Sequence, residues 1–143
     1  MITISVIKSK RSLASTQFLA NLQKLENEVL AWCKTQGAKN APYGLTDLFE
    51  ASNNAFACAF AANKIYINAS LDQETLQENI NTRKELFDKS IKWCHAFNTK
   101  LTVLMSCYKI SNTKIKRWMS YVYSAINQMN SVKKSDAKKL TKK

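Results

Sequence analysis

The sequence predicts an all-α protein: an antiparallel, up-and-down four-helix bundle with an extended N-terminal arm and a basic C-terminal tail. Three observations predict it. Apolar residues recur at helical spacing in four separate stretches. Only two glycines and one proline are present, too few turn residues for a many-stranded fold. The chain has 143 residues, 45% of them hydrophobic, which suits one domain with a real core rather than a disordered chain. The expected division is an arm over 1–14, the bundle over 15–132 and a lysine-rich tail over 133–143.

In the arm, Ile2, Ile4 and Val6 alternate with Thr3 and Ser5, a strand-like pattern with no partner strand in the chain. It reads as an extended segment that docks on a neighbouring subunit. The first helix is expected from Ser15 to Gln36, where Phe18, Leu22, Leu25, Val29 and Trp32 keep a near-heptad spacing. Gly37 is the expected C-cap, and Gly37 to Gly44, with Pro42, the connection. The second helix spans Leu45 to Asn63, with Leu45, Leu48, Phe49, Ser52, Phe56, Ala59, Phe60 and Asn63 on one face. Its many alanines allow another helix to approach closely.

Ile65 to Ala69 reads as a connector, and Ser70-Leu-Asp-Gln73 as a capping box for the third helix. That helix is expected from Leu71 to Tyr108. At 1.5 Å per residue it would be roughly 50–57 Å long, so a kink or break is expected near Phe97-Asn98-Thr99. A turn at Lys109-Ile110-Ser111 leads to the fourth helix, where Ile115, Trp118, Met119, Val122, Ile126 and Met129 form one stripe. Trp118 lies on that stripe and is expected in the core.

The formal charge of +12 is unevenly placed. Residues 98–143 hold eleven Lys or Arg against a single acid, Asp136, and residues 1–14 add three more cations, while 15–97 are near neutral. A basic end on a neutral body predicts a polyanionic partner, nucleic acid first and an acidic membrane surface second. The bland alternative is a solubilising tail. No segment reaches the ~18–20 apolar residues of a membrane span, and the N-terminus lacks a signal-peptide pattern, so a cytoplasmic protein is expected. Cys33, Cys58, Cys94 and Cys107 are widely spaced and read as free, buried thiols in a reducing compartment.

Catalytic patterns are sparse. There is no glycine-rich phosphate loop and no Glu-x-x-His repeat of a di-iron bundle, so neither cofactor nor metal is expected. His95, the only histidine, sits about 100° around the helix from Cys94, which does not suit a shared metal. A four-helix nuclease of the HEPN class needs an arginine a few residues before a histidine; the nearest upstream is Arg83, twelve residues away. The carboxylates near the start of the third helix suit its dipole, and Glu85 and Asp88 interleave with Lys84, Lys89 and Lys92 as i, i+4 pairs. A non-enzymatic protein is expected.

Nucleic-acid binding has better support. Lys109, Lys114, Lys116 and Arg117 cluster at one end of the fourth helix, and Lys133, Lys134, Lys138 and Lys139 lie at the other. Tyr121 and Tyr123 between them would stack on bases if they faced solvent. Lysine far outnumbers arginine, which suits sequence-blind phosphate contact rather than bidentate base reading.

Over about Phe18 to Val132 the order of features resembles the accessory variability determinant proteins of diversity-generating retroelements, within the wider four-helix family that includes intervening-sequence proteins. The stretches that carry the resemblance are Ile91 to Leu104, Tyr108-Lys-Ile-Ser111 and Ile115 to Met129, with Lys133-Lys134 starting the tail and Pro42-Tyr43-Gly44-Leu45 opening the second helix. The chain departs from the family at Asn98 and Thr102, where its helix-three arginines fall and only Lys100 is near. It departs again at Asn130-Ser131-Val132, where Gly-Gly-Trp would stand. The resemblance implies a homo-oligomeric ring, with five subunits in the known type. It further implies binding to a reverse transcriptase and its template RNA in support of mutagenic cDNA synthesis. Lys100 joins the candidate contacts on this basis. Two rival readings are a phage or plasmid helical interaction protein acting by protein contacts, and a degenerate HEPN-like ribonuclease centred on His95.

Overall fold

A computed structural model of the chain describes the backbone of residues 9–40, 45–68, 70–106 and 108–141, and the side chains of 16–35, 45–68, 70–106 and 108–140. It contains α1 (Ser9–Asn40), α2 (Leu45–Asn63), α3 (Gln73–Leu104) and α4 (Asn112–Thr141), with no strand among the described residues. α1 packs on α2 and α4, and α3 packs on the same two, so the helices close a four-helix bundle in chain order. Cross-helix contacts give direction. Arg83 meets Asp136 and Phe97 meets Trp118, so numbers fall along α4 as they rise along α3. Asn21 with Gln128 and Glu28 with Arg117 relate α1 to α4 in the same way. Ala62 with Arg83 and Ala55 with Ser90 do so for α2 and α3.

The core follows the apolar spacing. Phe18, Leu22, Leu25, Val29 and Trp32 of α1 are all buried, as are Ile115, Trp118, Val122, Ile126 and Met129 of α4. Aromatic edges link the helices: Phe18 meets Phe87 at 5.4 Å between ring centres, and Trp118 takes the edges of Trp32 and Phe97 at 6.0 and 6.2 Å. Trp118 is therefore a core residue, as its place on the stripe predicts.

α2 begins and ends where the sequence places it, but its buried face is rotated. Ala51, Ala55, Ala59 and Ala62 are buried, whereas Phe49, Phe56 and Phe60 are only half-buried around them. Small side chains let α2 and α3 pack closely, close enough for the Ser90 hydroxyl to donate to the Ala55 carbonyl at 2.7 Å. Of the expected face, Leu45, Leu48, Ser52 and Ala59 are buried, while its phenylalanines and Asn63 lie at the margin.

Other boundaries also differ. α1 starts at Ser9, inside the expected arm, because Lys10, Arg11, Leu13 and Ala14 are good helix formers; it continues through Gly37 to Asn40 rather than capping there. Residues 1–7, read as an extended arm, and Pro42 lie outside the described residues. Asp72, not Ser70, caps α3: its carboxylate accepts from the Thr75 N–H at 2.7 Å, and that bond holds its pKa below the ordinary range. α3 is about 48 Å long and passes through Phe97-Asn98-Thr99 without a break, ending where the buried stripe ends at Leu104. Ser111 caps α4, its hydroxyl accepting from the Lys114 N–H at 3.1 Å.

Residues 133–141 depart most from the expected architecture. They continue α4 instead of forming a tail, and Asp136 among them is buried at 4% exposure. It is held by Arg83 of α3, whose Nε and Nη2 donate to the two carboxylate oxygens at 2.7 and 3.2 Å. Good helix formers such as Ala137 and Leu140 extend the helix, and the ion pair anchors it.

Candidate nucleic-acid interface

Azimuth on α4 decides what its cations can do. At 100° per residue, Lys116, Ser120, Tyr123, Asn127, Asn130, Lys134 and Lys138 fall within about 40° of one line. All seven are exposed. This is the outward face of α4, about 33 Å from Lys116 to Lys138. It carries no acid, because the one acid of α4, Asp136, points to the opposite side and is buried.

Arg117 and Lys133 sit on the two flanks, about 100° to either side of that line. Arg117 Nε donates to Glu28 Oε1 of α1 at 3.0 Å, and Lys133 Nζ bonds to Asp88 of α3. Both candidates are thus neutralised by neighbouring helices rather than offered to solvent unpaired. Glu28 also accepts from Trp118 Nε1 and the Tyr121 hydroxyl, each at 3.0 Å. Burial pushes the Glu28 carboxyl up, but these three bonds outweigh it and hold the pKa below the ordinary range. Tyr121 is consequently a half-buried clamp residue, and burial and its bond to Glu28 push its phenol pKa up. The tyrosine facing solvent on α4 is Tyr123, 52% exposed.

The remaining candidates divide. Lys114 is half-buried with its Nζ 5.6 Å from the Trp118 ring centre. Lys109 is exposed in the turn before α4. Lys100 is half-buried and lies eleven residues from Lys89, on the side of α3 whose charge reaches Cys58 of α2. That flank is not the one that meets α4, so the structure does not join Lys100 to the other candidates. Lys139 is half-buried beside a cleft at the far end of α4.

Among the described residues His95 and Arg83, the pair the nuclease reading needs, are not brought together. His95 is exposed about 120° around α3 from Arg83, whose guanidinium is occupied by Asp136 and the Ala62 carbonyl. Among the described residues no three His, Cys, Asp or Glu side chains come together as metal ligands would, and no helix is long and apolar enough to cross a membrane. Cys33 and Cys58 are half-buried and Cys94 is buried; all three are free, and Cys107 lies outside the described residues.

No family model, curated protein or solved structure matches the chain. The resemblance to retroelement accessory proteins gains no support there, so the functional reading rests on the bundle itself.

Proposed function

We propose that this protein is a non-enzymatic nucleic-acid-binding protein that holds the phosphate backbone on the outward face of α4. The observation that carries the reading is the acid-free row from Lys116 to Lys138, flanked by cations that neighbouring helices neutralise. Lys114 and Lys116 also lie in the first two turns of α4, where the helix itself carries no acid and positive charge runs against its dipole. Bundle stability does not explain cations there; an anion along the helix relieves the conflict. Lysine makes point contacts with phosphate, so the binding is expected to be sequence-blind.

The test is the salt dependence of RNA binding by the protein and by a Lys116→Ala/Lys134→Ala/Lys138→Ala variant. Each single-strand phosphate contact contributes about 0.7 to the slope of log K against log salt, so the variant should lose about 2 units of slope. An unchanged slope would remove the α4 face from the reading. The narrower role, a ring-forming homo-oligomer that supports a reverse transcriptase and its template RNA, rests on the sequence resemblance. A ring-sized particle by light scattering and capture of the reverse transcriptase would support it; a monomer that captures none would count against it. A second reading, adaptation of another protein through direct contacts, draws on Val103 and Met105, exposed at the end of α3 at 60% and 41%. Failure to bind RNA at low salt would favour it.

A further inference from the structure

Beside the outward face of α4 lies a cleft of about 780 Å³, between the connector after α2 and the second half of α4. Its size falls in the range of pockets that hold organic ligands, and its walls mix apolar side chains such as Ile65, Ile67 and Val132 with polar ones. Asn63, Asn127, Ser131 and Ser135 line it, with the neutral Arg83–Asp136 pair at one side. Lys64 and Lys139 contribute charge that no acid lining the cleft offsets, since Asp136 is already bonded to Arg83. The cleft therefore suits an anion with polar edges.

Tyr66 adds a second element. Tyr66 lines the cleft and is 59% exposed, so it contributes little to the core. It is nonetheless held in place: Asn68 Nδ2 donates to its hydroxyl at 2.7 Å, and Asn79 Nδ2 of α3 donates to its carbonyl at 2.8 Å. An ordered, exposed aromatic ring next to two lysines and amide side chains is the arrangement that receives an unpaired base. Asn127 belongs both to the cleft wall and to the outward row of α4, so a strand lying on that row passes the mouth of the cleft.

We propose that this cleft receives one unpaired nucleotide of a nucleic-acid strand, its base stacked on Tyr66 and its phosphate near Lys64 and Lys139. The inference rests on the reading of α4 as a phosphate-binding face and adds a preference for single strands. A duplex keeps its bases stacked inside and cannot present one to Tyr66.

Fluorescence anisotropy with a labelled single-stranded RNA and an RNA duplex of equal length tests this on the full chain. Tyr66→Ala should weaken single-strand binding about 5- to 150-fold, the range of one base–aromatic stack, and leave duplex binding unchanged. Tyr66→Phe, which keeps the ring, should stay close to the parent. An unchanged single-strand affinity in Tyr66→Ala, or equal losses on strand and duplex, overturns the proposal. If the lysine variant of α4 still loses affinity in that case, the backbone-binding face stands and only the cleft fails. If the parent protein binds neither RNA, both fall. A free nucleoside monophosphate that binds as tightly as the strand would make this a small-molecule site and overturn the strand reading.

Discussion

Asp136→Ala should cost far more stability than a lysine-rich helix end suggests. The Arg83 guanidinium is buried with 11% of its side chain exposed, and the Asp136 side chain with 6%. Two bonds join them, a third runs from Nη1 to the Ala62 carbonyl at 3.3 Å, and the guanidinium carbon lies 5.3 Å from the Phe87 ring centre. Removing the carboxylate leaves a buried cation without its counter-charge, a change that costs about 3–5 kcal/mol in comparable pairs. Against a total of about 5–15 kcal/mol for a domain, that is a large share. Melting should fall by roughly 10–20 °C.

The double variant Arg83→Met/Asp136→Leu should behave differently. With both charges gone the desolvation cost disappears, and replacement by apolar side chains of similar size is often neutral or stabilising. The Ala62 carbonyl keeps a partner, since it also accepts from the Ile65 N–H at 3.1 Å. Urea unfolding followed by circular dichroism at 222 nm measures both. A single variant costing under about 1 kcal/mol, or a double variant as unstable as the single, would refute a buried pair. A chain ending at Val132 should be destabilised like the single variant, because it too strands Arg83. Truncation therefore confuses folding with RNA binding, and point substitutions on the outward face do not.

Two further predictions concern titration and thiols. The Glu28 and Asp88 carboxyls both sit below their ordinary range, burial raising each and the bonds from Arg117, Trp118 and Tyr121, or from Lys133 and Lys84, outweighing it. Their stabilising contribution is present above the unfolded carboxylate range, roughly pH 4 to 4.5, and is lost as pH falls through the folded values. Glu28→Gln and Asp88→Asn should thus flatten the loss of stability below pH 4.5 in urea titrations, and an unaltered acid limb would contradict the two clamps. Burial raises the pKa of Glu26 and acts in the opposite sense, so the single variants are compared with the parent rather than with a charge count. Burial also pushes the Cys33 thiol to about 11 and Cys94 to about 12, while Lys89 partly offsets the burial of Cys58. Mass-spectrometric mapping of alkylation at pH 8 should find Cys58 modified before Cys33, and Cys94 only on unfolding; early labelling of Cys94 would oppose its placement in the core.

Much of the fold was legible because burial in a bundle tracks the 3.6-residue period. The stripes of α1 and α4 and both ends of α2 follow directly from it. What the period does not carry is the distance between helices. Alanine and phenylalanine stood on adjacent faces of α2, and only the close packing of α3, with Ser90 against Ala55, favours the small ones. Starts and stops were least legible where charge is dense, since Lys10, Arg11 and Lys133 to Lys139 fit a helix and a solvated segment equally well in sequence.

Dense charge also obscures which cations of α4 face outward. Met129, Val132 and Asp136 continue the inward side of α4 past Lys133, so a lone acid there marks an inward position needing a cation. Once α4 is carried through Thr141, the azimuths of its cations separate by arithmetic. Arg117 and Lys133 turn to acids on α1 and α3, and Lys116, Lys134 and Lys138 turn outward. The distinction has a functional consequence. A tail lets each lysine find its own phosphate, whereas a helix anchored by Arg83 and Asp136 fixes their spacing along about 33 Å. On the proposed reading, loss of that anchor should therefore weaken RNA binding even though it removes a negative charge from the protein, an outcome opposite in sign to simple electrostatics.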